Sequence, residues 1–250
     1  MYRRDLALVH HLGFSFHADA CAPGILALLD PVLRAGGVVL ELGCGSGALT
    51  RHLVAAGHRV IATDASPAMV ELTAERVPGA EDVRLLVLPD DPLPVADAVV
   101  SVGHVLCYLP DEAAIDRALV AVAGAVRAGG VVALDLCDLR WGEARRGAPP
   151  FARVEDDWAI VTRFDVPSPD RFVRHITTFV RAGAAGPWRR DDERHDNVLL
   201  DTSKVPALLA RYGVAVTVSP AFGDERLPDG LVAVVGTSVG RPGLEPGPEA

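Results

Sequence analysis

Residues 38–47 read Val-Val-Leu-Glu-Leu-Gly-Cys-Gly-Ser-Gly, a short apolar run that takes in one acid and ends in three alternating glycines. Few architectures accept such a stretch. Val38 to Leu42 is β-branched and leucine-rich with no polar alternation, as expected of a strand buried on both faces. Gly43, Gly45 and Gly47 form a loop that can take positive φ and present bare backbone to a ligand. Ser46 is placed to cap a following helix, Ala48 to Ala55. Strand, glycine loop and helix in this order are the nucleotide site of a doubly wound sheet, where the ligand lies outside the carboxyl ends of the strands.

Two details narrow the ligand. The spacing is Gly-x-Gly-x-Gly, and not the Gly-x-Gly-x-x-Gly that seats a pyrophosphate on a helix N-terminus. Glu41 stands just before the loop, where its charge repels phosphate and attracts a cation. A second acid, Asp64, closes the next apolar run, Val60-Ile61-Ala62-Thr63-Asp64. It lies about 20 residues downstream, where an acid accepts ribose hydroxyls. A positively charged ribose compound without phosphate answers this description, and S-adenosylmethionine is one.

The chain resembles the class I S-adenosylmethionine-dependent methyltransferases. The resemblance rests on Glu41-Leu42-Gly43-Cys44-Gly45-Ser46-Gly47, Asp64-Ala65-Ser66-Pro67, Leu88-Pro89-Asp90-Asp91 and Asp97-Ala98-Val99-Val100-Ser101, and covers roughly residues 37–137. It implies that backbone groups near Gly43, Cys44 and Gly45 touch the methionine part of the cofactor and that Glu41 faces its ammonium. Asp64 would take the ribose hydroxyls, with Ala65 beside it. Asp90 would accept from the adenine amino group, and the Asp91 backbone would meet the ring. Val102 and His104, past the fourth strand, would lie where the methyl group faces its acceptor.

Composition restricts the acceptor. A formal charge of −9 makes an acidic surface, which repels phosphate backbones and excludes nucleic acid and anionic membranes as substrates. No apolar run in the sequence approaches the roughly 20 residues that span a bilayer. The start of the sequence does not read as a signal peptide. Cys21, Cys44, Cys107 and Cys137 are scattered with no Cys-x-x-Cys pair, which fits a reducing cytoplasm and neither zinc nor a disulfide scaffold. A small-molecule acceptor is the expectation.

The fold expected is α/β: a Rossmann-like, doubly wound, mostly parallel seven-stranded sheet with an antiparallel β insertion before the last helix. Residues 1–36 read as an N-terminal helical cap, with a helix over 18–35, and 37–137 as the cofactor-binding core. Within the core, strands are expected at 37–42, 59–63, 83–88, 97–102 and 130–136, with helices at 47–56, 67–77 and 111–127. Residues 138–200 read as the acceptor side: a polar loop over 139–155, then three strands, 158–166, 171–181 and 188–196. A helix from Thr202 to Tyr212 and strands 214–219 and 231–238 complete the core over 201–239. Residues 240–250 read as a disordered tail. An edge of the inserted strands could pair two copies into a homodimer.

Methyl transfer asks little beyond in-line positioning and, for a protonated nucleophile, a base. The candidates are His104 and, on the last inserted strand, Glu193 and His195, which share a face by the two-residue period. His10 and His11 precede the aromatic segment Phe14–Phe16, which could close over the cofactor, while His175 reads as an ordinary strand residue. The Asn/Asp-Pro-Pro-Tyr/Phe element and the Pro-Cys context of nucleic-acid methyltransferases are missing, and no carboxylate trio marks a metal site. Two other readings remain: a cofactor-binding descendant that does not methylate, such as a cyclase or scaffold, and a dinucleotide oxidoreductase.

Overall fold

The computed structural model describes residues 2–181, 183 and 186–240; the expected tail, apart from Gly240, lies outside them. Its centre is β1 (Val38–Leu42), where Val39, Leu40 and Leu42 are wholly buried. Parallel β2 (Arg59–Asp64) and β4 (Ala96–Ser101) flank it. β3 (Asp82–Leu85) pairs outside β2, and β5 (Val126–Cys137) outside β4. Antiparallel β10 (Val214–Ser219) and β11 (Leu231–Ser238) close the other edge, giving the order β10-β11-β5-β4-β1-β2-β3. This is the seven-stranded, mostly parallel sheet that the sequence implies.

Helices cover the sheet where their signals predict. In α4 (Pro67–Arg76), Pro67 opens the helix and the Ser66 hydroxyl accepts the Met69 N–H, while Asp111 caps α5 (Glu112–Ala125) through the Ala114 N–H at 2.7 Å. α2 (Phe16–Arg34) holds Pro23 and Pro31 and is long and apolar enough, by composition, to cross a membrane. That differs from the sequence expectation. In the fold its face Cys21, Ile25, Leu29 and Val32 is buried in the core.

Other boundaries also differ. Gly47, left-handed at φ 82°, caps α3 (Ala48–Ala55), and the Ser46 hydroxyl instead lies 3.2 Å from the His11 ring. β3 ends at Leu85, so Leu86 to Leu88 leave the sheet. The insertion has four strands: β6 (Phe151–Val154) adds to β7 (Trp158–Ser168), β8 (Arg171–Arg181) and β9 (Trp188–Val198) in a separate antiparallel sheet. β6 hid in the expected loop because it is an edge strand with Phe151 and Val154 exposed. Similarly, the expected helix after residue 201 is a 3-10 turn, Thr202–Lys204, followed by the short α6 (Val205–Ala210).

The inserted sheet roofs the carboxyl ends of the core strands. α1 (Arg4–Gly13) packs Leu6 and Val9 against Trp158, Ile160, Ile176 and Val180 of this sheet, making a second small core. The inner face of β9 meets the 3-10 turn Val105–Tyr108 that follows β4.

Candidate active site

Between core and roof lies a cavity of about 490 Å³, within the usual range of small-molecule sites. Its floor is the glycine loop. Gly43 has φ 68°, and a Cβ there would come within 2.3 Å of Val105 Cγ2, so only glycine fits. Gly45, at φ 56°, has no atom within 4 Å of where a Cβ would point, and its backbone borders the cavity. The loop is pinned from beneath. The Cys44 N–H donates to the Thr63 carbonyl at 2.8 Å, and the Thr73 hydroxyl to the Gly45 carbonyl at 2.8 Å.

Asp64 ends β2 at the cavity wall with both oxygens engaged: Oδ2 accepts the Gly45 N–H at 2.9 Å and Oδ1 the Ser66 N–H at 2.8 Å. The carboxylate therefore ties the two cofactor-side loops together and keeps further lone pairs for a ligand. Burial pushes its pKa up, against the pull of these N–H donors. Ala65 and Val102 also line the wall. Glu41 sits behind the loop, 2% exposed, and its Oε2 has no hydrogen-bond partner. Burial raises its pKa to about 7. A buried carboxylate oxygen without a protein partner calls for one from outside the chain, a water or a cation, although Glu41 itself stands off the cavity wall.

Several expected residues stand elsewhere. Cys44 turns its thiol inward, with Sγ 3.7 Å from Thr73 Oγ1, so only its backbone belongs to the loop. Asp90 and Asp91 are exposed and outside the cavity wall, because β3 stops early and Leu86, Val87 and Leu88 form the wall instead. Asp91 is occupied by the turn, its Oδ2 accepting the Val87 N–H at 2.7 Å. His104 also leaves the wall, although Val102, Gly103 and Val105 stay on it. The cause is Asp135, wholly buried in β5, which accepts the Gly103 and His104 N–H groups at 2.8 and 2.6 Å. His104 is thereby held left-handed at φ 50°, its ring stacked on Tyr108 and tilted against Trp141. Burial lowers its pKa to about 3, so it is neutral.

β9 brings two expected residues together. His195 lines the cavity, and its Nε2 lies 3.0 Å from Glu193 Oε2. A carboxylate facing Nε2 keeps the proton there, so the lone pair is on Nδ1, which is buried and unpartnered. Burial lowers the His195 pKa. Glu193 is not itself on the wall; its Oε1 accepts the Arg3 main-chain N–H at 3.0 Å. Tyr2, His10 and Tyr108 complete the roof and were not read as site residues, apart from His10 as part of a possible closing segment. Asp135 did carry a signal: like Glu41, it is an acid inside an apolar strand, which needs a partner.

Residues 40–132 match the family model of a methyltransferase domain. The uncharacterized methyltransferase YrrT of Bacillus subtilis is 36% identical over 89 residues, which is 34% of this chain and 41% of that protein. The match thus spans about two fifths of that relative's length. A solved S-adenosylmethionine-dependent methyltransferase from Clostridium acetobutylicum superposes with a TM-score of 0.76 at 16% identity, covering 94% of this chain and 98% of that one. DesVI of Streptomyces venezuelae gives 0.74 at 20% identity over 92% and 95%. KedS8 of a Streptoalloteichus species, described as a sugar N-methyltransferase, gives 0.72 at 21% identity over 94% of each chain. At these identities the likeness is one of fold.

Proposed function

We propose that this chain, whose residues 40–132 match a methyltransferase domain and whose fold is that of a solved S-adenosylmethionine-dependent methyltransferase, transfers a methyl group from S-adenosylmethionine to an oxygen or nitrogen of a small-molecule acceptor. One observation carries the cofactor half: Asp64 stands on the wall of a hollow of bare backbone, and Glu41, buried behind the same loop and off that wall, keeps an oxygen with no hydrogen-bond partner. Acids at both ends suit a sulfonium amino acid joined to a ribose and oppose a diphosphate bridge. Bound there, the cofactor supplies a methyl group already activated by its positive sulfur.

The chain's own residues supply the rest. Gly43 and Gly45 let the backbone approach, Asp64 holds the ribose hydroxyls in charge-assisted hydrogen bonds, and Glu41 faces the ammonium. The acceptor enters from the roof side, under Tyr2, Tyr108 and His195. With the cofactor bound, the acceptor's lone pair would take the methyl group as the carbon–sulfur bond's electrons return to sulfur, and the acceptor's proton would pass to the unpartnered His195 Nδ1. Glu193 is a positioning residue that fixes the His195 tautomer, as the carboxylate of a catalytic triad does.

An amino nitrogen as target is supported by KedS8, described as a sugar N-methyltransferase, and a sugar acceptor also by CalS10 of Micromonospora echinaspora, described as an amino pentose methyltransferase. Four buried free thiols suit a reducing compartment, and we place the protein in the cytoplasm. The test is transfer of labelled methyl from S-adenosylmethionine to a panel of amino- and hydroxyl-bearing small molecules. Label should appear in an acceptor and fall about a hundredfold in His195→Ala. Undiminished transfer in that variant removes His195 from the mechanism, and cofactor binding without transfer to any acceptor favours a non-methylating role.

A further inference from the structure

Behind Tyr108, off the cavity wall itself, stands a positive charge that the proposed transfer does not use. Arg174, opposite His195 in the β8–β9 register, forms no ion pair with a carboxylate among the described residues. Its guanidinium donates to the Tyr108 hydroxyl and stands 5.6 Å from that ring's centre, while its buried Nε has no partner. The acids nearby are engaged elsewhere: Glu193 by Arg3 and His195, Asp64 by Gly45 and Ser66, Asp135 by Gly103 and His104. At the rim, Arg194 and Asp196 pair at 2.6 Å and neutralise each other. The charge is felt locally. Besides burial, Arg174 helps to hold His10, His104 and His195 neutral, and it opposes the rise that burial imposes on Tyr2.

The phenols beside it leave one donor free. Tyr2 and Tyr108 both line the cavity, with hydroxyls 3.2 Å apart. One O–H joins the pair. If Tyr2 donates, Tyr108 keeps its proton; if Tyr108 donates, Tyr2 keeps its own. Either way one phenolic O–H next to the guanidinium has no acceptor among the described residues, while the unpartnered His195 Nδ1, whose ring packs edge-on against both phenols at 4.7 and 5.6 Å, is a free acceptor. The corner thus offers a cation-backed donor and a lone pair side by side.

We propose that this corner is an oxyanion subsite: the acceptor bears a carboxylate or phosphate oxygen beside its nucleophilic O–H or N–H. The oxyanion takes the free O–H of the Tyr2–Tyr108 pair under the charge of Arg174, which turns the nucleophile's proton toward His195 Nδ1. Naming the ligand as the methyl acceptor rests on the function proposed above; the anion site itself does not.

The test titrates the full chain, saturated with S-adenosylhomocysteine, with sodium acetate and with inorganic phosphate. Ionic strength is held constant with sodium chloride, and the imidazole resonances are followed by NMR. A saturable response to acetate identifies a carboxylate and one to phosphate a phosphoryl group. The response should weaken about tenfold or more in Arg174→Met and in Tyr108→Phe, and stay unchanged in Arg163→Met, which removes an exposed charge from β7. Should Arg174→Met fail to fold, Tyr108→Phe, which keeps the ring, decides. Non-saturating shifts with both anions, or equal affinity in the folded variants, overturn the subsite. Failure of S-adenosylhomocysteine to bind would overturn the methyl-transfer reading alone, and the same titration of the unliganded chain would then decide the anion site.

Discussion

At the scale of single residues the account rests on carboxylates whose partners can be counted. Asp64 spends one lone pair of each oxygen on backbone N–H groups and keeps the rest for the ribose of the proposed cofactor. Asp64→Ala should weaken S-adenosylhomocysteine binding by about 10- to 100-fold, which calorimetry measures. Glu41 provides a pH test. Its folded pKa is about 7 against an ordinary 4.5, so the native state binds this proton more tightly than the unfolded chain. The resulting stability is complete below pH 4.5 and is lost as pH climbs through about 7. The buried histidines slope the opposite way, so the observable is a difference: relative to Glu41→Gln, the unliganded wild type should lose about 2–3 kcal/mol between pH 4.5 and 8. Parallel denaturation curves for the two proteins across that range would refute the burial argument. These two acids were legible in the sequence because each interrupts or ends an apolar strand. Arg174, Tyr108 and Tyr2 were not, since their contacts join positions 66 and 106 residues apart, beyond the reach of any local spacing.

At the scale of elements, the loops after β1 and β4 are built as one unit. Gly43 is glycine because Val105, in the 3-10 turn after β4, occupies the space where a side chain would go. Gly43→Ala should cost about 1–3 kcal/mol in chemical denaturation. Adding Val105→Ala should recover only part of that loss, because trimming the valine relieves the clash and leaves the backbone at φ 68°. The same turn hangs from Asp135. Asp135→Ala leaves the Gly103 and His104 N–H groups without their acceptor and should destabilise by about 3 kcal/mol or more. Asp135→Asn, which keeps one acceptor oxygen, should lose less. The apolar strands and capped helices of the core read well from sequence because central parallel strands are buried on both faces and α4 and α5 carry their own caps. The 83–88 expectation ran too far because apolar Leu86 to Leu88 continue the strand pattern while serving as cavity wall.

At the scale of the whole molecule the described residues form two hydrophobic cores of unequal size, one around the seven-stranded sheet and one between α1 and the inserted sheet. The smaller core should open first. Native-state hydrogen exchange should show β7 and β8 exchanging through openings of lower free energy than β1, β4 and β5; uniform protection would mean a single cooperative unit. On the function proposed above, this division would let the insertion carry the acceptor while the core carries the cofactor. It also explains the limit of the sequence reading: the roof's strands were visible, but the site they complete exists only where β9, the β4 turn and the N-terminal segment meet. The central claim is that acids around a bare-backbone hollow select a cationic adenosine compound over a phosphorylated dinucleotide. Calorimetric titration of the full chain with S-adenosylmethionine and with NADH, each alone and then in competition, tests it most directly. The account predicts saturable binding of S-adenosylmethionine that NADH does not displace; tighter binding of NADH, or displacement by it, would contradict it.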